Sequence, residues 1–152
     1  MPKFEFDHVA VAVHSIKPSL KLFRDALGGE YLMGGDERGV WRWVQFRYPG
    51  GGKIELLEPL GEGFLEDFLR SRGEGLHHIT FKTDDIEAAI EHVGSLGYEL
   101  VDVNLEGEQW KEAFFRPSGA HGTLVQIGWS AHGDDVARHH LRPSNLEELL
   151  SA

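Results

Sequence analysis

FDHVAVAV (Phe6–Val13) and GLHHITF (Gly75–Phe81) are two runs that open alike, each carrying a histidine near its start and apolar residues at alternate places after it. Alternation with period two reads as a β-strand whose faces meet different surroundings. The segments downstream of the two runs also match. After the first come SIKPSLKLFRDALGG (15–29), an amphipathic helix pattern closed by glycine, then EYLMGG (30–35), VWRWVQFRYP (40–49), a GGG turn and KIELLEP (53–59). After the second come the helix pattern DDIEAAIEHVGSLG (84–97), then YELVDVN (98–104), KEAFFRP (111–117), the turn SGAHG and TLVQIGW (123–129). His8 and His78 lie 70 residues apart, and Glu55 and Gln126 lie 71 apart. A repeat kept to within one residue over that distance reads as duplication of a βαβββ unit, with a period too long for a solenoid. The expected fold is α+β. Two βαβββ modules, 4–60 and 75–129, pair into an open, cup-shaped mixed β-sheet with helices outside. A linker helix over 61–74 and an extension over 130–152 complete a single domain.

Composition narrows the chemistry. The chain has 152 residues, 41% of them hydrophobic, which suits one globular domain with a buried core. No apolar run is long enough to span a bilayer, and MPKFEFDHVAV lacks the charged-then-apolar pattern of a secretion signal, so the expected location is the cytoplasm. With no cysteine there is no disulfide, thiolate ligand or thiol nucleophile, and a metal would fall to His, Asp, Glu, Gln or Asn. The formal charge of −10 argues against nucleic acid or an anionic membrane as partner.

Strand parity chooses between the paired histidines. If His8 shares a face with Ala10 and Ala12, then Val9, Val11 and Val13 pack against helices. The same frame puts His78 with Thr80 and turns His77 the other way, into a structural role. In the closing strands Glu55 falls with Leu57, and Gln126 with Leu124 and Gly128. Four polar groups on one surface make a candidate metal site. If Gln45 faces that site, parity also brings Trp41, Trp43 and Arg47 there, with Phe114 from the other module. Two tryptophans suit an aromatic or acyl group, and an arginine suits a carboxylate or phosphate. His121 reads as a solvated turn residue, and His132, His139 and His140 as parts of a surface tail. PSNLEELL reads as a short helix capped by Ser144 or Asn145, placed to close the cup or contact a second copy.

Together FDHVAVAV, KIELLEPL, GLHHITF with DDI after it, and FRPSGAHGTLVQI resemble the vicinal oxygen chelate superfamily, in particular its methylmalonyl-CoA epimerase and glyoxalase I branches. The resemblance covers roughly Phe4 to Trp129. It implies His8, Glu55, His78 and Gln126 as ligands of one divalent metal ion, Zn, Ni, Co, Mn or Fe, and a homodimer as the expected assembly. Two positions depart from the pattern. Both branches carry a glutamate where this chain has Gln126, and Gln45 aligns with a catalytic glutamate of the epimerase.

Those departures bear on mechanism. A glutamine amide has no useful basicity, so it can coordinate or hydrogen-bond but cannot take a proton. Methylmalonyl-CoA epimerase proper is therefore disfavoured. The surviving carboxylate, Glu55, is expected to act as both ligand and base in a lyase or isomerase of the glyoxalase type, acting on a small carbonyl substrate through a metal-stabilised enolate. Two histidines with one carboxylate also match the facial triad of non-haem Fe(II) dioxygenases. A non-catalytic ligand-binding protein of the bleomycin-resistance kind is the further alternative.

Overall fold

The computed structural model describes residues 1–37, 39–131 and 144–151. Its elements are β1 (Phe4–Ala12), α1 (Ile16–Leu20), β2 (Glu30–Glu37), β3 (Trp41–Arg47), β4 (Lys53–Pro59), α2 (Phe64–Arg72), β5 (Gly75–Thr83), α3 (Ile86–Ser95), β6 (Leu100–Asn104), β7 (Trp110–Phe115), β8 (Val125–Ser130) and α4 (Ser144–Ser151). The strands form an open mixed sheet in the order β2-β3-β4-β1-β5-β8-β7-β6, the α+β architecture expected from the duplicated pattern. No helix among the described residues is long and apolar enough to cross a membrane.

The chain divides into two compact units that split β1 and β5 between them. The α1 unit takes Val9–His77 and α4; the α3 unit takes Met1–His8 and the chain from His78. In the α1 unit, β1 runs parallel to β4 (Ala10↔Glu55) and β4 runs antiparallel to β3 (Gln45↔Glu55). Gly50 and Gly51, at φ +97° and +94°, make the turn between β3 and β4 in a left-handed conformation that favours glycine. One sheet face buries Val13, Val44, Phe46 and Leu56 against Ile16 and Leu20 of α1. The other buries Ala10, Ala12 and Leu57 against Leu65 and Leu69 of α2. Full burial of each large side chain contributes about 1.5–3 kcal/mol, so both helices are pinned by their apolar stripes.

Two features of this unit go beyond the pattern. The stretch expected as one amphipathic helix is α-helical only over Ile16–Leu20 and widens over Lys21–Ala26. The widening releases the Phe23 carbonyl from the helical ladder, and it accepts the Gly29 N–H (3.1 Å) and the Tyr48 hydroxyl (2.7 Å) instead. The tail helix α4 is also more than an extension. Leu146 is buried, and Leu149 and Leu150 pack beside it, in the cluster formed by Val13, Ile16, Leu20, Tyr31 and Phe46. Leucines at i, i+3 and i+4 form one stripe, and burial in the core removes that stripe from water. The side chains of Ser144 and Asn145, the expected caps, lie outside the described residues, as do His132, His139 and His140.

In the α3 unit, β5 runs parallel to β8 (Thr80↔Gln126) and β8 antiparallel to β7 (Glu112↔Gly128, Phe114↔Gln126). α3 begins where the Asp85 side chain accepts the Ala88 N–H at 3.0 Å. It buries Ile86, Ala89 and Val93 against Ile127, with Phe4, Phe115 and Trp129 packed around them. The even-numbered residues of β8, including Gln126, therefore face away from this core.

Candidate functional site

The α3 unit contributes a chain of buried polar groups. His8 is 2% exposed, and its Nδ1 lies 2.7 Å from Asp7 Oδ2. A carboxylate only accepts, so Nδ1 carries the proton and a neutral ring keeps its lone pair on Nε2. Thr80, fully buried, lies 3.1 Å from that Nε2 through Oγ1 and donates its hydroxyl proton to Gln126 Oε1 at 2.7 Å. Gln126 Nε2 in turn donates to Glu112 Oε1 at 3.1 Å, and the Trp110 indole N–H donates to the same oxygen at 2.7 Å. The His78 ring stands edge-on to His8 at 5.8 Å between centroids, with Phe114 also edge-on to it at 6.4 Å. Trp110 lies over Gly128 so closely that a β-carbon there would collide with the indole.

The α1 unit holds the remaining expected residues. Gln45 donates from Nε2 to Glu55 Oε2 at 2.7 Å, and both side chains are buried. Gln45 Oε1 is buried with no hydrogen-bond partner among the described residues, an unmet acceptor of the kind a ligand or water completes. Trp41 and Trp43 are half-buried beside α2, with Trp41 edge-on to Phe64 at 6.0 Å and the Trp43 N–H donating to Glu37 at 3.2 Å. Arg47 is half-buried at the end of β3. His77 stacks edge-on against Phe68 (4.8 Å) and near Phe64 (5.7 Å). Burial pushes its pKa below the ordinary 6.5, the Glu55 carboxylate pulls the other way, and Arg72 adds to the lowering. His121 is exposed, with φ +57° in its turn.

His8, His78 and Glu55 are all buried, and among the described residues they are the set of side chains of the type that holds a metal ion. Two imidazoles and a carboxylate suit a borderline divalent ion, and the unmet Gln45 oxygen leaves room for polar company beside Glu55. Asp7, Trp110 and Glu112 hydrogen-bond to the expected site residues or to one another, and the sequence did not single them out. Parity offered a signal for Glu112 and Trp110, because both share the period-two face of Phe114 along β7. Asp7 gave none, since its contact is with the adjacent residue on its own strand.

The sequence model of the family described as Glyoxalase/Bleomycin resistance protein/Dioxygenase superfamily matches residues 7–114. The ethylmalonyl-CoA/methylmalonyl-CoA epimerase of Cereibacter sphaeroides is 31% identical over 129 residues, covering 80% of this chain and 94% of its own. Methylmalonyl-CoA epimerase from Mycobacterium tuberculosis superposes with a TM-score of 0.75 at 26% identity, over 84% of this chain and 88% of that one. A Streptomyces coelicolor methylmalonyl-CoA epimerase in complex with 2-nitronate-propionyl-CoA superposes with a TM-score of 0.72 at 26% identity, over 84% and 97% of the two chains.

Proposed function

We propose, because the chain belongs to the Glyoxalase/Bleomycin resistance protein/Dioxygenase superfamily, that it is a divalent-metal-dependent enzyme that moves a proton at the carbon beside a substrate carbonyl. His8, Glu55 and His78 are the ligands in this reading. The observation that carries it is this buried set of two imidazoles and one carboxylate. A divalent ion held there supplies Lewis acidity to the carbonyl, so that the enolate left by proton removal is less costly.

The chain's own residues have distinct tasks. Asp7 keeps the proton on His8 Nδ1 and so presents the Nε2 lone pair, the orientation a neutral imidazole ligand needs. Gln126 is turned with its oxygen to Thr80 and its amide nitrogen to Glu112, which makes it a bridge between them. Gln45 steers the Glu55 carboxylate by donating to Oε2. Glu55, a ligand, is also a proton carrier. The substrate class is an acyl thioester with an acidic α-proton, which the names of the related epimerases support. Trp41, Trp43, Arg47 and Phe114 contact it.

Metal content of the protein purified from metal-supplemented culture, measured by plasma mass spectrometry, tests the ligand set. The wild type and His77→Ala should retain near-stoichiometric metal, and His78→Ala should lose it. A metal-free wild type would overturn the enzyme reading in favour of a ligand-binding protein. Glu55→Gln should keep metal and lose turnover; retained turnover would remove Glu55 as proton carrier.

A further inference from the structure

We infer that Glu112 on β7 is a second catalytic carboxylate, one that takes the α-proton of the substrate; the inference rests on the proton-transfer reading above. Glu112 receives the chain of hydrogen bonds that runs from Thr80 through Gln126, and it is the one group in that chain with real basicity. Thr80 has a hydroxyl, Gln126 an amide and Trp110 an indole that only donates. The Glu112 carboxylate is held in place, because the Trp110 and Gln126 N–H groups both donate to Oε1. It lies on the strand face of Phe114, whose ring stands against His78. Trp110 can lie across β8 only because residue 128 is glycine, so the support of Glu112 is built into two strands.

The identity of residue 126 fits the same geometry. A glutamate there would set two carboxylates at hydrogen-bond distance, and like charges that close cannot both stay ionised. Glutamine instead offers an N–H, so Glu112 can remain an acceptor. In the proposed step the α C–H bond breaks, its electron pair forms the enolate double bond as the carbonyl π pair moves to oxygen, and the proton forms an O–H bond on Glu112. Once the proton on Glu112 has exchanged with solvent, its delivery back to the same face labels the α-carbon with retention. Delivery of a proton to the opposite face by a second group inverts the centre.

The test follows deuterium entry at the α-carbon by mass spectrometry, in D2O, with each epimer of methylmalonyl-CoA as probe and metal content measured on every sample. The wild type should label both epimers. Glu112→Gln should keep its metal and label one epimer at least about 100-fold more slowly while the other stays within a few-fold, the size expected for loss of one general base. The swap Glu112→Gln/Gln126→Glu, which moves the carboxylate across the same hydrogen bond, should regain at least about tenfold for that one epimer alone, a selectivity that a merely structural role would not give. Glu112→Gln labelling both epimers at wild-type rates would overturn the inference, and so would equal loss for both with no recovery in the swap. A metal-loaded wild type that labels neither epimer would fail the proton-transfer reading itself, and the inference with it.

Discussion

Tyr31 carries its hydroxyl into the core of the α1 unit, edge-on to Phe46, with no hydrogen-bond partner among the described residues. Burial pushes its pKa from 10 up to about 12. The folded state therefore holds the proton more tightly than the unfolded state, and this contribution is whole below pH 10 and is lost as pH rises through 10 toward 12. Tyr31→Phe removes a buried, unpaired hydroxyl and should raise stability by about 1 kcal/mol at neutral pH. It should also flatten the loss of stability across the alkaline window. Urea midpoints on both sides of pH 10 check this, and equal alkaline losses in the two proteins would clear Tyr31 of the effect. Among single residues, His8 and His78 were singled out by parity and repeat position, and their rings lie edge-on to each other. Glu112 was not, because a single acidic residue on a strand looks like solvent-facing polarity until its neighbours Gln126 and Trp110 are placed across from it.

Among the elements, α4 shows how packing outranks position in the chain. It lies beyond the repeat, yet Leu146 sits in the core with Leu20 and Tyr31. Gly34 on β2 has no side chain, and a β-carbon there would press against Leu149 at 2.9 Å, so a bare strand position makes room for the helix. Leu146→Ala should cost about 2–4 kcal/mol, as large-to-small changes in a close-packed core do. Thermal and urea unfolding measure it, and a loss below about 0.5 kcal/mol would mean that α4 contributes little to the unit. α1 shows a second kind of dependence. Its Ile16 N–H is capped not by Ser15 but by Glu58 Oε1 at 3.0 Å, forty-two residues away, while Glu58 Oε2 also meets the buried Arg42 at 3.3 Å. No local pattern announces a cap supplied by another strand.

For the protein as a whole, metal binding and stability should be linked. An ion that binds only the folded chain stabilises it by about 2.7 kcal/mol at a hundred times its Kd. Unfolding midpoints of the wild type should therefore rise with added divalent metal and fall with a chelator, and those of His78→Ala should respond to neither. Identical metal responses in the two proteins would count against the ligand set. The α+β class, the twofold βαβββ order and the faces of the strands are written in the chain, because period-two alternation and a repeat kept to one residue are local properties of its order. Folding in three dimensions was needed to establish that Asp7 fixes the His8 tautomer, that Gln126 bridges Thr80 to Glu112, and that α4 belongs to a core. Hydrogen bonds between strands and the burial of a leucine stripe depend on distances and orientations that side chains acquire only when the chain has folded.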